Sequence, residues 1–155
     1  MKKLLFVCLG NICRSPAAEA IMIKMVADKG LSAKYFCDSA GTSGYHIGER
    51  ADARMIEHAK KRGYDITSRG RQFSKKDFTD FDYILTMDES NYQNVCDKDY
   101  KNEYKCKVHP MVKFCLQHQV DKVPDPYYGG PEGFENVLSI LEDACSNLLN
   151  HLEKE

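Results

Sequence analysis

The chain has 155 residues, enough for one domain with a real core, and 22 Lys and Arg against 23 Asp and Glu leave a formal net charge of −1. Hydrophobic residues make up 43% and charged residues 29%. That is ordinary soluble composition, with no global field to recruit nucleic acid or an anionic membrane, so any anion must be bound by local geometry.

Lys2–Cys8 is a short apolar run that reads as a strand buried on both faces. Lys2 and Lys3 ahead of it imitate a signal peptide, but the run is too short and meets Asn11 and Arg14 without a clean small-residue cleavage site. No stretch approaches the roughly 20 apolar residues of a membrane span. Pro16 suits the first turn of a helix ending near Gly30, and Lys34–Ala40 reads as a second strand. Ala51, Met55, His58 and Ala59 fall at helical spacing before a stop at Gly63. Asp82–Met87 reads as a third strand, with a polar helix from about Glu89. Lys105–His109 is a weaker fourth strand, and Val112 and Phe114 suggest a packed helix after it. Phe134, Val137, Leu138, Leu141, Cys145, Leu148, Leu149 and Leu152 form an apolar stripe that predicts a long C-terminal helix.

Strands alternating with helices predict an α/β fold whose parallel sheet is covered on both faces, in one domain over 1–155. Ligands of such sheets bind beyond the carboxyl ends of the strands, where the segment after Cys8 leaves the first strand. The two long loops, Gly41–Glu49 and Asp121–Pro131, are further places where function concentrates. Seven cysteines, an odd number with several inside apolar patterns, fit reduced thiols in a reducing compartment, so a cytoplasmic protein is expected.

Cys8-Leu9-Gly10-Asn11-Ile12-Cys13-Arg14-Ser15 lies between a strand and a helix start. Its backbone N–H groups can turn toward one anion, with the positive end of the helix dipole behind them. Gly10 and Asn11 tolerate the left-handed backbone such a loop needs. A thiol at the centre is a nucleophile placed where a phosphate sits, so Cys8 is expected to attack phosphorus. The planar fork of Arg14 would hold two equatorial oxygens, and Ser15 would hydrogen-bond the Cys8 sulfur and help it leave in a second step. The expelled oxygen needs a proton, and Asp125, stiffened by Pro124 and Pro126, is the outstanding donor. Tyr127 and Tyr128 beside it offer aromatic surface to line a slot for a flat substrate.

Cys8 to Pro16 together with Asp125-Pro126-Tyr127-Tyr128 resembles the low-molecular-weight protein tyrosine phosphatases. Asp38 to Tyr45 and Phe81 to Ser90 resemble other blocks of that family, so the likeness runs nearly end to end. The resemblance implies a flavodoxin-like three-layer α/β/α fold with a central four-stranded parallel sheet. It also implies metal-independent, cofactor-free hydrolysis of phosphotyrosine through a cysteinyl-phosphate. The partners implied are phosphotyrosine-containing proteins or peptides, with inorganic phosphate as product and inhibitor, and a monomer able at most to dimerise weakly. Carried onto this chain, it makes Cys8 the nucleophile, Arg14 the clamp and Asp125 the acid and base. Leu9, Gly10, Asn11, Ile12, Cys13 and Arg14 would supply the phosphate-binding amides. Asn11 and Ser39 would form a hydrogen-bonded brace, Asp88 would brace Arg14, and Ile12, Tyr45 and Tyr127 would wall the slot. Cys13 would close a reversible disulfide with Cys8 under peroxide. Ser68 stands where many relatives carry a histidine that supports the asparagine brace.

Three rival activities share parts of this pattern. An arsenate reductase coupled to thioredoxin needs a relay pair, for which Cys96 and Cys106 are the candidates. A phosphoarginine phosphatase commonly has threonine at the position of Ile12, whose methyl groups suit a phenyl ring better than a guanidinium. A phosphocysteine carrier needs no acid to activate water and leaves Asp125 without a role. Cys106-x-x-His109 and Cys115-x-x-His118 have metal-like spacing, but the pairs lie too close for a closed tetrahedral site and read as filler cysteines and surface histidines.

Overall fold

A computed structural model describes residues 1–155. Four strands, β1 (Lys2–Cys8), β2 (Tyr35–Gly41), β3 (Tyr83–Thr86) and β4 (Val108–Pro110), form one sheet in the order β2-β1-β3-β4. All three pairings are parallel, with Cys8 opposite Gly41 and Val7 opposite Thr86. The helices are α1 (Arg14–Asp28), α2 (Ala53–Lys61), α3 (Lys76–Asp80), α4 (Glu89–Asp97) and α5 (Pro131–Glu153).

The unbroken apolar run of β1 follows from its position at the centre. Leu4, Phe6 and Cys8 face a large core shared with α1, α2 and α5, whereas Leu5 and Val7 face a smaller core with Phe78 of α3 and Val95 of α4. Each face therefore needs its own covering layer, which makes the three-layer sandwich. The chain leaves β1 for β2 on one side and returns to β3 on the other. Strand order thus reverses at β1, opening a crevice beyond its carboxyl end.

Strands and helices fall close to their expected places, with two corrections at the sheet edge. The expected fourth strand over Lys105–His109 is Val108–Pro110, and Lys105–Lys107 is a 3₁₀ turn. The Lys107 ammonium turns inward to the carbonyls of Phe78 (2.7 Å) and Phe81 (3.0 Å) at the end of α3. Pro110, with no N–H, closes the ladder. The packed helix expected after it is a single 3₁₀ turn, Met111–Phe114. The short α3 is unanticipated; Asp77 nucleates it by accepting from Ser74 N (2.9 Å) and from the Arg71 guanidinium.

The segment that descends toward Asp125 is anchored by one buried carboxylate. Asp143 on α5 accepts the backbone N–H groups of Leu116, Gln117 and His118 (3.1, 2.9 and 2.9 Å) and meets His118 Nδ1 at 2.9 Å. His109 stacks on Tyr83, and Cys106 is exposed, so the two Cys-x-x-His pairs serve separate local contacts. Burial alone raises the Asp143 carboxyl, but the His118 ring and the three N–H donors outweigh it and hold the group down at about 2. A depressed native value stabilises the fold above the unfolded carboxyl's ordinary range, and that contribution is lost as pH falls toward 2. Asp143→Asn is expected to lower unfolding stability by about 1–3 kcal/mol near pH 6. In urea melts the gap to the unmodified protein should narrow as pH drops from about 4 toward 2. A gap independent of pH in that window would contradict the anchoring role of the charge.

Candidate active site

Cys8 ends β1, Arg14 opens α1, and the intervening loop is held from outside by its carbonyls. Thr42, Ser43 and Asp52 N–H groups donate to the carbonyls of Cys8, Leu9 and Ile12 at 2.9, 2.9 and 2.8 Å. The amides of Leu9, Gly10, Ile12, Cys13, Arg14 and Ser15 donate to no protein acceptor. A loop with occupied carbonyls and free N–H groups at a helix N-terminus is an anion receptor. Asn11 is the pivot: it takes the left-handed backbone (φ 58°), and its N–H points back to the Cys8 sulfur at 3.3 Å. Gly10, expected to share that conformation, does not; its missing side chain instead admits the His46 ring, which a Cβ would meet at 3.1 Å.

The Asn11 side chain donates to Ser15 Oγ (2.8 Å) and accepts from Arg71 N (3.0 Å). Ser15 Oγ lies 3.0 Å from the Cys8 sulfur and 3.4 Å from the Ala40 carbonyl. Asn11 fills one acceptor site of this hydroxyl, and the sulfur at 3.0 Å and the Ala40 carbonyl at 3.4 Å share its single proton. The expected brace from Asn11 to Ser39 is not formed. Ser39 gives its one hydroxyl proton to the Glu19 carboxylate at 2.6 Å, a charged and stronger acceptor. Burial pushes the Glu19 carboxyl up, and the Ser39 and Ser68 hydroxyls oppose that.

Arg14 is buried, and its Nη1 is committed: it donates to Asp88 Oδ2 (2.7 Å) and to the Val123 carbonyl (3.1 Å). Asp88 is itself fixed as the N-cap of α4, accepting Asn91 N at 2.8 Å. Nε and Nη2 remain for an oxyanion, and Nη2 stands 3.7 Å from Asp125 Oδ2. Asp125 is 41% exposed, and its Oδ1 accepts the Tyr127 N–H at 3.0 Å.

These groups line a cavity of about 280 Å³ bounded by Cys8, Ile12, Arg14, Tyr45, Asp125, Tyr127 and Tyr128. Both long loops reach it, the first through Ser43, Tyr45 and His46 and the second through Asp125 and its tyrosines. Tyr127 and Tyr128 meet edge to face at 5.0 Å, and Tyr45 and Tyr128 stand largely in solvent at the mouth. Cys13 also lines the cavity; burial pushes its thiol far up, so it stays protonated beside Cys8. Cys96 and Cys106 are not part of the lining. His46 is an addition that the sequence did not single out; its only signal is a place in the first long loop.

The sheet, its switch point and a cysteine ringed by unpaired amides define a flavodoxin-like α/β protein with a thiol at the centre of its strand-end loop. Residues 3–155 match the family model described as low molecular weight phosphotyrosine protein phosphatase, and the chain belongs to that family. It is 42% identical to the human low molecular weight phosphotyrosine protein phosphatase, over 96% of this chain and 94% of that one. A crystal structure of a protein tyrosine phosphatase from Entamoeba histolytica superposes with a TM-score of 0.95 at 52% identity, covering 99% of this chain and 98% of the other. A Drosophila arginine phosphatase superposes with a TM-score of 0.90 at 33% identity, covering 98% of both chains. No helix is long and apolar enough to cross a membrane.

Gly41 sets how closely β2 approaches this loop. A Cβ there would lie 2.8 Å from the Leu9 carbonyl oxygen and 3.1 Å from Asn11 N. Both are backbone atoms and cannot swing aside. Gly41→Ala is expected to keep a native far-ultraviolet spectrum but to weaken orthophosphate binding by about ten-fold or more, since small displacements of a preorganised site are costly. Calorimetric titration with phosphate checks this, and unchanged affinity would show that the loop does not depend on the close approach.

Proposed function

We propose that residues 1–155 act as one catalytic unit that hydrolyses phosphotyrosine and small aryl phosphates through a phosphorylated Cys8. The observation that carries this reading is the ring of unpaired amides around the Cys8 sulfur, with Arg14 Nη2 and the Asp125 carboxyl together on its open side. The phosphate oxygens take the amides and the free edge of Arg14, which leaves phosphorus in front of the sulfur. The Cys8 thiolate attacks, the phosphorus–oxygen bond to the phenol breaks, and Asp125 gives its proton to the departing oxygen. Asp125, now a carboxylate, takes a proton from water as that water attacks phosphorus. The phosphorus–sulfur bond breaks, and orthophosphate leaves. The Ser15 hydroxyl and the Asn11 N–H stabilise the sulfur anion in both steps. Asp88 and Val123 spend one nitrogen of Arg14 on orientation, so the fork does not have to be ordered during the reaction.

Ile12 and the tyrosines support an aromatic substrate, because they offer flat apolar walls around Asp125, the one carboxyl of the cavity. Phosphotyrosine peptides should therefore be turned over faster than phosphoarginine peptides of the same sequence; the reverse order would move the chain to the arginine branch.

Cys8→Ser should abolish turnover while phosphate still binds. Asp125→Ala should lower kcat by about 10²–10⁴ on a phosphotyrosine peptide, and by less on p-nitrophenyl phosphate, whose phenolate needs less help to leave. Arg14→Lys should also be severe, because a point charge cannot replace a fork that grips phosphate and Asp88 together. Full activity of Asp125→Ala on the peptide would remove the acid assignment.

A further inference from the structure

The segment 124–130 carries Asp125, and although Pro126 is buried, few hydrogen bonds fix it. Its own hydrogen bonds are local, Tyr127 N to Asp125 Oδ1 at 3.0 Å and Gly129 N to the Pro126 carbonyl at 3.0 Å. One hydrogen bond reaches it from a distant part of the chain: Arg54 Nη2, on the first turn of α2, donates to the Tyr127 carbonyl at 3.0 Å. The same guanidinium lies over the Tyr127 ring (5.4 Å) and over the Phe134 ring at the start of α5 (4.9 Å). It is held there by Asp52 through two bonds, Nε to Oδ1 at 3.1 Å and Nη2 to Oδ2 at 2.8 Å. Asp52 in turn caps α2 and donates its own N–H to the Ile12 carbonyl in the phosphate loop at 2.8 Å. A continuous chain of contacts thus runs from the nucleophile's loop through Asp52 and Arg54 to the backbone of Tyr127 and the carboxylate of Asp125.

From this connection we infer that Arg54 is a positioning residue for the proton-transfer step, fixing the Asp125 loop relative to the phosphate loop with Asp52 as its holder. The inference rests on the assignment of Asp125 as the acid. Arg54 touches neither phosphate nor sulfur, and its work is geometric. With the guanidinium in place, the Asp125 carboxyl stays in reach of the leaving oxygen. Without it, the segment keeps its internal turns, the burial of Pro126, the Gly133 N–H to the Gly130 carbonyl at 3.0 Å and the 3.7 Å approach of Asp125 to Arg14, none of which ties it to the phosphate loop's outer side. A planar cation suits the task because one group can stack on two rings, chelate a carboxylate and donate to a carbonyl at once.

The test is the dependence of kcat/KM on the acidity of the leaving phenol, measured over a series of aryl phosphates for Arg54→Gln, Arg54→Lys, Asp52→Asn, Asp125→Asn and the Arg54→Gln/Asp125→Asn double variant. Because kcat/KM reports the steps up to loss of the phenol, slow release of phosphate does not mask the effect. Asp125→Asn should steepen the dependence most. Arg54→Gln should steepen it to an intermediate degree, losing about 10- to 100-fold on the poorest leaving group and little on p-nitrophenol. Arg54→Lys should recover part of the loss, and Asp52→Asn should shift the dependence the same way by less. In the double variant the Arg54 change should add nothing further, since the group it positions is gone. If Asp125→Asn steepens the dependence but Arg54→Gln leaves it unchanged, the inference is overturned and the acid assignment stands. The same holds if Arg54→Gln costs as much in the Asp125→Asn background as alone. If Asp125→Asn leaves the dependence unchanged, the acid assignment itself falls and the inference with it. Should Arg54→Gln not fold, Asp52→Asn and Arg54→Lys carry the same comparison.

Discussion

The site depends first on the turn at Asn11. A left-handed residue there reverses the chain between β1 and α1, so the loop can curl around the sulfur of Cys8 instead of running past it. Two hydrogen bonds from a buried side chain hold this conformation. One ties the turn to Ser15, in the first turn of α1; the other ties it to the backbone of Arg71. Arg71 is pinned in turn between Asp38 on β2 and Asp77 on α3. The nest is therefore braced from both faces of the sheet, which fixes the directions of its free N–H groups. Preorganisation of this kind lets a few amides stabilise a highly charged transition state in place of mobile water.

Arg14 and Asp125 extend the same principle outward. Arg14 is buried and oriented from behind by Asp88 and by the Val123 carbonyl. Val123 itself is tied to the residue that follows β3 through its N–H to the Met87 carbonyl at 2.8 Å. Two residues further on, Asp125 is much more exposed and sits on a segment with few anchors. The cavity thus grades from a buried, tightly hydrogen-bonded loop and guanidinium to a more exposed carboxyl on a sparsely bonded segment, which suits the proposed division between holding phosphate and moving a proton.

Much of this was legible in the chain itself. The β1 run is apolar without alternation because both its faces are buried, and Asn11, Arg14, Ser15 and Asp125 are marked by residue type at positions where only a few types serve. What escaped notice was long-range partnership. Whether Ser39 answers Asn11 or Glu19 depends on how α1 packs on β2, which no local pattern encodes. His46 enters the cavity because Gly10 leaves room for its ring. Arg54 reads in sequence as one more charge on a helix, and only the fold sets it between two aromatic rings. The fourth strand was misplaced because a lysine that looks solvated caps the end of α3 instead.

The central claim is that phosphorus passes through the Cys8 sulfur before it meets water. Hydrolysis, in 17O-labelled water, of an aryl phosphorothioate made chiral at phosphorus with 16O and 18O, followed by analysis of the configuration of the thiophosphate product, tests this most directly. Two in-line displacements, first by sulfur and then by water, predict overall retention. Inversion would mean a single direct attack by water and would contradict the account, leaving Cys8 only as part of the binding loop.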